Sequence, residues 1–242
     1  MKKLFPFLVL CLLATISFAQ DKTVYDANAE KRTVSNFHAI RVSHGIELLL
    51  KQGDTEAIAI SAKTKEQRDA IKTEVVNGEL KIHIEQKLMD WWRQLRRNGV
   101  RVKAYVSFKS LDKINGSSGS KTTIDGNLTA SDLFIDLSSG ASLTGELKTN
   151  KLDVDQSSGA KSTIKGTVQD LNVETSSGAQ FYGYDLSAAK GKADASSGGK
   201  IELSVTKEID ASASSGGGIN YKGAATATNL STSSGGKIKK QG

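Results

Sequence analysis

The chain has 242 residues, with 33 Lys and Arg against 26 Asp and Glu and a net charge of +7. Its one cysteine, Cys11, and its one proline, Pro6, both lie before Gln20, so the rest of the chain excludes disulfide scaffolds, zinc–thiolate sites and thiol nucleophiles. The segment 87–103 holds six basic residues against one acid, which equals the whole positive excess after Ala19. Because this charge is not spread over a face, we expect no nucleic-acid partner.

The N-terminus predicts export. A short basic start, Met1–Lys3, precedes an apolar run over residues 4–18 and the small residues Ser17 and Ala19. This pattern predicts a signal peptide over residues 1–19, too short to span a membrane stably. Since no other apolar run is long enough to span a bilayer, we expect a protein that is not transmembrane and that resides in the periplasm, on the outer-membrane surface or outside the cell.

Residues 20–34 are polar and predict an N-terminal tether. From residue 35 to 242 we expect one β-helix domain, beginning with irregular opening coils over 35–113 that cap the rest. Alternating apolar residues predict strands over 40–50, with a bend at His44-Gly45, and over 57–60, 80–84 and 100–108. A capping-box pattern at Thr64 predicts one short helix that ends near Thr73.

The segment 90–99 joins two of these strands and carries both tryptophans of the chain. Two interpretations stay open. It is either a hairpin excursion whose Trp and Leu cover the cap while its arginines are solvated, or an exposed aromatic and cationic patch. Such a patch would bind an anionic glycan, a lipid headgroup or another envelope protein. The candidate ligand-binding patch consists of Trp91, Trp92, Arg93, Arg96 and Arg97.

A repeat dominates residues 114–242. Ser-Ser-Gly occurs seven times, and its glycines follow one another at a nearly constant interval of about 19 residues. Before each tripeptide apolar and polar residues alternate, which predicts strands, and a coil this short leaves no room for a helix. The pattern favours an all-β parallel β-helix with coils of about 19 residues, turned at each corner by a glycine with positive φ. The seven glycines are Gly119, Gly140, Gly159, Gly178, Gly198, Gly216 and Gly235.

Stacking of like residues predicts columns along the coils. Paired serines should form hydroxyl ladders, and a column of acids should be neutralised by lysines that recur just after the corner of alternate coils. A calcium ladder is disfavoured because the acids stand in single file and the nine-residue calcium repeat is absent. The acids are Asp136, Asp155, Glu174 and Asp194, and the lysines are Lys121, Lys161, Lys200 and Lys237.

No motif predicts a catalytic, cofactor or metal site. Ser-x-x-Lys recurs because the coil recurs, whereas a catalytic pair would be singular. The histidines His38, His44 and His83 lack partners at metal-ligand spacing, although His44 and Gly45 could face a site. The coils also carry few aromatic residues, namely Phe134, Phe181, Tyr182, Tyr184 and Tyr221.

Four short stretches in the first half carry a resemblance to a known family. They are Val42–Leu48, Lys51–Asp54, Asn77–Ile82 and Leu111–Ile114, the last leading into the glycine-serine coils. In this order they resemble the putative autotransporter adhesin head GIN domain family, a family of unknown function common in exported proteins of Bacteroidota. The resemblance covers roughly residues 35–225. It implies a right-handed parallel β-helix and supplies no catalytic or binding residues.

These observations predict an exported, non-enzymatic β-helix module that serves as an adhesin-like or structural binding surface for cell-envelope or extracellular ligands. The alternative is a carbohydrate-active β-helix enzyme of the polysaccharide lyase or hydrolase kind. A groove lined by three or more acids together with aromatic residues would favour the enzyme, whereas a flat, serine-lined face would favour the module.

Overall fold

A computed structural model describes residues 26–241, so the predicted signal peptide lies outside the described residues. This part of the chain contains sixteen strands, two α-helices and one turn of 3₁₀ helix. In chain order they are β1 (Ala29–Arg32), β2 (Ala39–Val42), β3 (Glu47–Gln52), β4 (Ala57–Ser61), α1 (Lys65–Asp69), β5 (Ile71–Val76), β6 (Glu79–Ile84), the 3₁₀ turn (Gln86–Leu88), α2 (Met89–Arg97), β7 (Lys103–Phe108), β8 (Lys113–Gly116), β9 (Lys121–Leu137), β10 (Ser142–Gln156), β11 (Lys161–Thr175), β12 (Gln180–Ala195), β13 (Lys200–Ala213), β14 (Gly218–Lys222), β15 (Thr226–Thr232) and β16 (Lys237–Lys240).

The predicted β-helix is confirmed as a β-solenoid of about seven turns with coils of about 19 residues. Strands β9 to β13 each cover most of one coil and bend within it. Each pairs in parallel with the next, so that Leu133 lies beside Leu152 and Leu152 beside Leu171. Because each coil pairs with its neighbours, the backbone hydrogen bonds run along the axis of the solenoid.

The core is one continuous column of apolar side chains. The residues predicted to point inward are buried from β9 to β13, as at Leu152 and Val154. Stacking removes these side chains from water in every coil, which is the main favourable contribution to the fold. In the last coil the equivalent residue, Leu230, is 46% exposed, because in the described chain β15 pairs on one side only.

Each Ser-Ser-Gly corner is a tight turn in which two residues have positive φ. In the third corner Ser158 has φ 53° and Gly159 has φ 71°, and the N–H of Ala160 donates to the carbonyl of Ser157 at 3.0 Å. These are the features of a type I′ turn. The corners are joined by backbone bonds, as from the N–H of Gly159 to the carbonyl of Ser177 at 3.1 Å, rather than by the predicted hydroxyl ladder.

The opening coils continue the solenoid and then close its first end. Strands β2, β3, β6, β7 and β8 add parallel pairs, whereas β1, β4 and β5 pair antiparallel at the edge. Residues 29–32 therefore belong to a strand, although the sequence places them in a tether. The capping box at Thr64 is confirmed, but α1 ends at Asp69 rather than near Thr73.

The prediction of a single helix is wrong. Most of the segment 90–99, for which the sequence left a hairpin excursion and an exposed patch open, belongs to a second helix, α2, which is nine residues long. The leucine at its N-cap makes no side-chain capping bond, so the usual sequence signal for a helix start is missing. Its charges nevertheless suit the helix dipole, with Asp90 in the first turn and Arg96 and Arg97 in the last.

Candidate functional site

Helix α2 is held against the first corner of the solenoid by one tryptophan. Trp92 is 2% exposed, and its Nε1 donates to the carbonyl oxygen of His44 at 2.9 Å. The next ring, Trp91, lies 6.5 Å away between centroids and is 38% exposed. The two tryptophans of the predicted patch therefore differ, since Trp92 is a buried anchor and Trp91 presents part of its ring to solvent.

The corner beneath α2 is built like a Ser-Ser-Gly corner. Ser43-His44-Gly45 places two residues at positive φ, and the N–H of Ile46 donates to the carbonyl of Ser43 at 3.3 Å. His44 thus occupies the place of the second serine and lies beside Ser118 of the next corner. The similarity of Ser-His-Gly to Ser-Ser-Gly is a sequence signal that could have placed His44 here.

The three arginines of the predicted patch, which are exposed, line one pocket of about 390 Å³. We call it the arginine pocket, and its lining is completed by His44, Met89, Trp92 and Ser118. The guanidinium of Arg96 crosses Gly45 so closely that a Cβ atom at residue 45 would overlap it. Only glycine lets Arg96 take this course, and neither Gly45 nor Ser118 was part of the predicted patch.

His44 adds a neutral polar group to the pocket. Burial lowers the pKa of its imidazole, and His83, Arg93 and Arg96 lower it further. Its Nδ1 accepts from the backbone N–H of Ile84 at 3.4 Å and lies 2.8 Å from the Ser43 hydroxyl. The neutral ring therefore carries its proton on Nε2 and offers an N–H donor.

The acidic column forms a second concavity, of about 400 Å³, beside the serine corners. The predicted neutralisation by lysines is wrong, because each corner turn separates the column from the lysines that follow it. One of these, Lys161, instead lies 4.7 Å above the Tyr182 ring, and Asp194 pairs with Lys192 at 3.8 Å. In residues 26–241 no group of three His, Cys, Asp or Glu side chains is arranged to hold a metal ion.

Replacing Asp155 by Asn is expected to raise the melting temperature at neutral pH. Burial, Glu174 and Asp136 raise the pKa of Asp155, so its ionised form is disfavoured by folding. Stability linked to this group is therefore highest in acid and falls as the pH rises through the raised pKa. The gain from Asp155→Asn should disappear below pH 3.8, where the carboxyl is protonated in both states.

Asp153→Asn is the matched control for this measurement, because Asp153 pairs with Lys151 at 2.9 Å and its loss brings no relief. Thermal unfolding should be followed with and without EDTA. A lower melting temperature for Asp155→Asn would mean that the folded protein stabilises this carboxylate, and a fall on adding EDTA would mean that the column binds a cation.

A third concavity, of about 460 Å³, lies along the first part of β9 to β13. We call it the tyrosine groove. Its lining includes two aromatic rings and three acids, the composition that favours the enzyme alternative. One of the acids, Glu146, is paired with Lys165 at 2.9 Å. The aromatic and acidic residues are Tyr182, Tyr184, Glu146, Asp185 and Glu202.

A family model described as "Putative auto-transporter adhesin, head GIN domain" matches residues 36–225. The chain belongs to this family. The match includes the Ser-His-Gly corner, α2 and the coils through β14, so all three concavities lie within the GIN domain. The resemblance carried by the short motifs of the first half is thereby confirmed.

Solved structures share the fold of this GIN domain at low sequence identity. The crystal structure of a putative adhesin from Bacteroides fragilis is 20% identical, with a TM-score of 0.76 over 88% of this chain and 96% of that chain. A putative adhesin from Parabacteroides distasonis is 16% identical, with a TM-score of 0.68 over 88% and 96% of the two chains. A putative lipid binding protein from the same species is 19% identical, with a TM-score of 0.64 over 90% and 98%.

No curated protein matches the chain. In the described residues neither helix is long and apolar enough to cross a membrane.

Proposed function

We propose that the chain is an exported, non-enzymatic binding module whose arginine pocket holds an anionic group of an envelope or extracellular ligand. The group would be a phosphate, sulfate or carboxylate, presented by a lipid headgroup, an acidic glycan or another protein. Export rests on the predicted signal peptide, and a non-enzymatic role is supported by the description of the family and its solved relatives as adhesins.

The observation that carries the proposal is the charge of the arginine pocket. Arg93 pairs with Asp90 at 3.0 Å, but among residues 26–241 neither Arg96 nor Arg97 forms an ion pair. Two guanidinium groups therefore face a small concavity without a carboxylate, and His44 adds a donor beside them. Arginine presents a planar fork of N–H donors that matches phosphate and carboxylate oxygens.

Trp91 does not line the arginine pocket, but it adds an exposed apolar surface beside it on α2. Its ring is half-exposed on the helix that carries the arginines, where an indole can contact a lipid chain or a sugar face. A solved relative named as a putative lipid binding protein makes anionic lipid vesicles a natural first probe.

Replacing Arg93, Arg96 and Arg97 together by Ser is expected to weaken binding to phosphatidylglycerol vesicles by roughly 100-fold at low salt. The estimate takes about 1 kcal/mol for each basic residue near an anionic surface. Binding by the unmodified protein should fall as salt rises, because exposed charges are screened.

Trp91→Ala should instead weaken binding at every salt concentration. Vesicle sedimentation with residues 20–242 measures both effects, and a heparin column distinguishes acidic glycan from lipid.

The matched control is the triple variant Lys121→Ser, Lys200→Ser and Lys237→Ser. It removes the same charge from exposed lysines on the coils. This variant should bind nearly as well as the unmodified protein. If the two triple variants lose binding equally, net charge rather than the pocket attracts the ligand. If the arginine variant binds vesicles and heparin normally, the proposed site is wrong.

A carbohydrate-active enzyme is the second candidate, and the tyrosine groove is the observation that favours it. Two carboxylates placed across a sugar linkage are the requirement for glycoside hydrolysis. Glu146 is less suited to this role because its carboxylate is held by Lys165. Incubation with oligosaccharides separates the candidates, since an enzyme releases new reducing ends and a binding module does not.

A further inference from the structure

The two longest intervals in the repeat coincide with irregularities in the sheet. These intervals separate Gly119 from Gly140 and Gly178 from Gly198. In the first coil Thr123 pairs with Thr144 and Asn127 with Glu146, so three residues of β9 face one of β10. The second of these coils carries a similar irregularity in β12.

In β12 the extra residue lies at the same edge of the solenoid. Thr163 pairs with Tyr182 and Gly166 with Leu186, so three residues of β12 face two of β11. Between these bulges β10 and β11 pair without interruption. Bulges of this kind redirect side chains and are frequent beside binding sites.

Both bulges line the tyrosine groove, and Glu202 of β13 lines it beyond the bulge in β12. Ile124 and Gly126 line it in β9, and Tyr184 and Asp185 line it in β12. The shorter coils between them supply the floor, which includes Thr144 and Thr163. With neighbouring strands about 4.8 Å apart, the two bulged coils are separated by about 14 Å.

A lysine that does not line the groove lies over each of the two tyrosine rings. Lys161 lies 4.7 Å from the centre of the Tyr182 ring, and Lys222 lies 5.2 Å from that of Tyr184. Burial raises the pKa of the Tyr184 phenol, and Glu202 raises it further, so the hydroxyl keeps its proton as a donor. The groove thus combines aromatic rings with hydroxyl groups.

We propose that the tyrosine groove binds a short neutral oligosaccharide. A sugar ring has an apolar C–H face that packs on aromatic rings and a rim of hydroxyls that bond to carboxylates and hydroxyls. Glu146 and Lys165 neutralise each other, and the charges of Asp185 and Glu202 are matched by those of Lys161 and Lys222 beside the rings, so no excess charge favours an ionic ligand. This site lies on the coils, apart from the arginine pocket, and takes a ligand of different charge.

The test is an array of neutral trisaccharides of glucose, mannose, galactose and N-acetylglucosamine, with sulfated sugars beside them, followed by calorimetry with a neutral sugar that binds. Tyr182→Ala and Tyr184→Ala are each expected to reduce affinity about tenfold or more. Thr163→Trp should abolish binding without lowering the melting temperature, because the exposed threonine lies on the groove floor.

Phe134→Ala is the matched control, since Phe134 is a partly exposed ring beneath Lys113, at 5.0 Å, on another face. This variant and the triple arginine variant should bind the neutral sugar normally. The proposal would be overturned if no neutral probe binds at millimolar concentration, if only sulfated probes bind, or if the groove variants bind as well as the control. Release of reducing ends from a bound probe would also overturn it, because the groove would then be catalytic.

Discussion

Replacing Trp92 by Ala is expected to destabilise the protein by about 3–5 kcal/mol, the usual cost of removing a large aromatic side chain from a core. Trp92 is almost wholly buried and bonds to the carbonyl of His44, so its loss leaves a cavity beneath α2 and removes the anchor of the helix. Urea unfolding of residues 20–242, followed by circular dichroism, measures the change.

Trp91→Ala is the control, because the neighbouring ring is half-exposed and its removal should cost about 0.5 kcal/mol or less. Trp92→Phe should fall between the two, since it keeps most of the apolar contact and loses the hydrogen bond. Equal losses for Trp91→Ala and Trp92→Ala would mean that α2 is not docked through Trp92, and the geometry of the arginine pocket would then be wrong.

Replacing Gly166 by Ala is expected to destabilise the solenoid by about 3 kcal/mol or more. Gly166 has φ 117°, a conformation that side chains rarely adopt, and a Cβ atom there would overlap the carbonyl oxygen of Leu147 in the preceding coil. The backbone of two coils would have to move apart. Thermal and urea unfolding should both report the loss.

The corner residue Gly159 provides the comparison. It also has positive φ, but no atom lies within 4 Å of the place its Cβ would take. Gly159→Ala should therefore cost only about 1–2 kcal/mol of backbone strain, and Gly159→Val more, because a β-branched residue fits this conformation worse. If Gly166→Ala costs no more than Gly159→Ala, the close packing of Gly166 on Leu147 is wrong.

The solenoid could be predicted because its repeat states the same physical requirement in every coil. Inward residues must be apolar and each corner must turn tightly, so alternation and Ser-Ser-Gly return at nearly constant spacing. The positive φ of the serine before each corner glycine was missed, because serine, unlike glycine, does not signal that conformation. Ser158 occupies it because the stacked corners hold it there through backbone bonds.

Helix α2 was not predicted from the sequence. It is short, it lacks a side-chain cap, and it is held by the burial of Trp92 against a corner that lies far away in the chain. The arginines were recognisable as a cluster of charge. Their pocket was not, because His44 and Ser118 reach it only through the stacking of coils.

The columns along the coils show a second limit of sequence patterns. The acids and lysines were correctly placed in period with the repeat, but the turn between them puts them on different sides of a corner. The tyrosine groove was hidden for a related reason. The two longest intervals between corner glycines reveal that two coils are longer, whereas the strand register shows where the extra residues lie.

The coil is also a unit of length. Because each coil packs mainly on the one before and the one after it, duplication of one regular coil between α2 and the bulge in β12 would move these two landmarks apart by about 4.8 Å. The arginine pocket depends on the first corners and would keep its shape. Proteins of this fold can therefore change the distance between these two landmarks in steps of about 4.8 Å while the contacts of the arginine pocket stay the same.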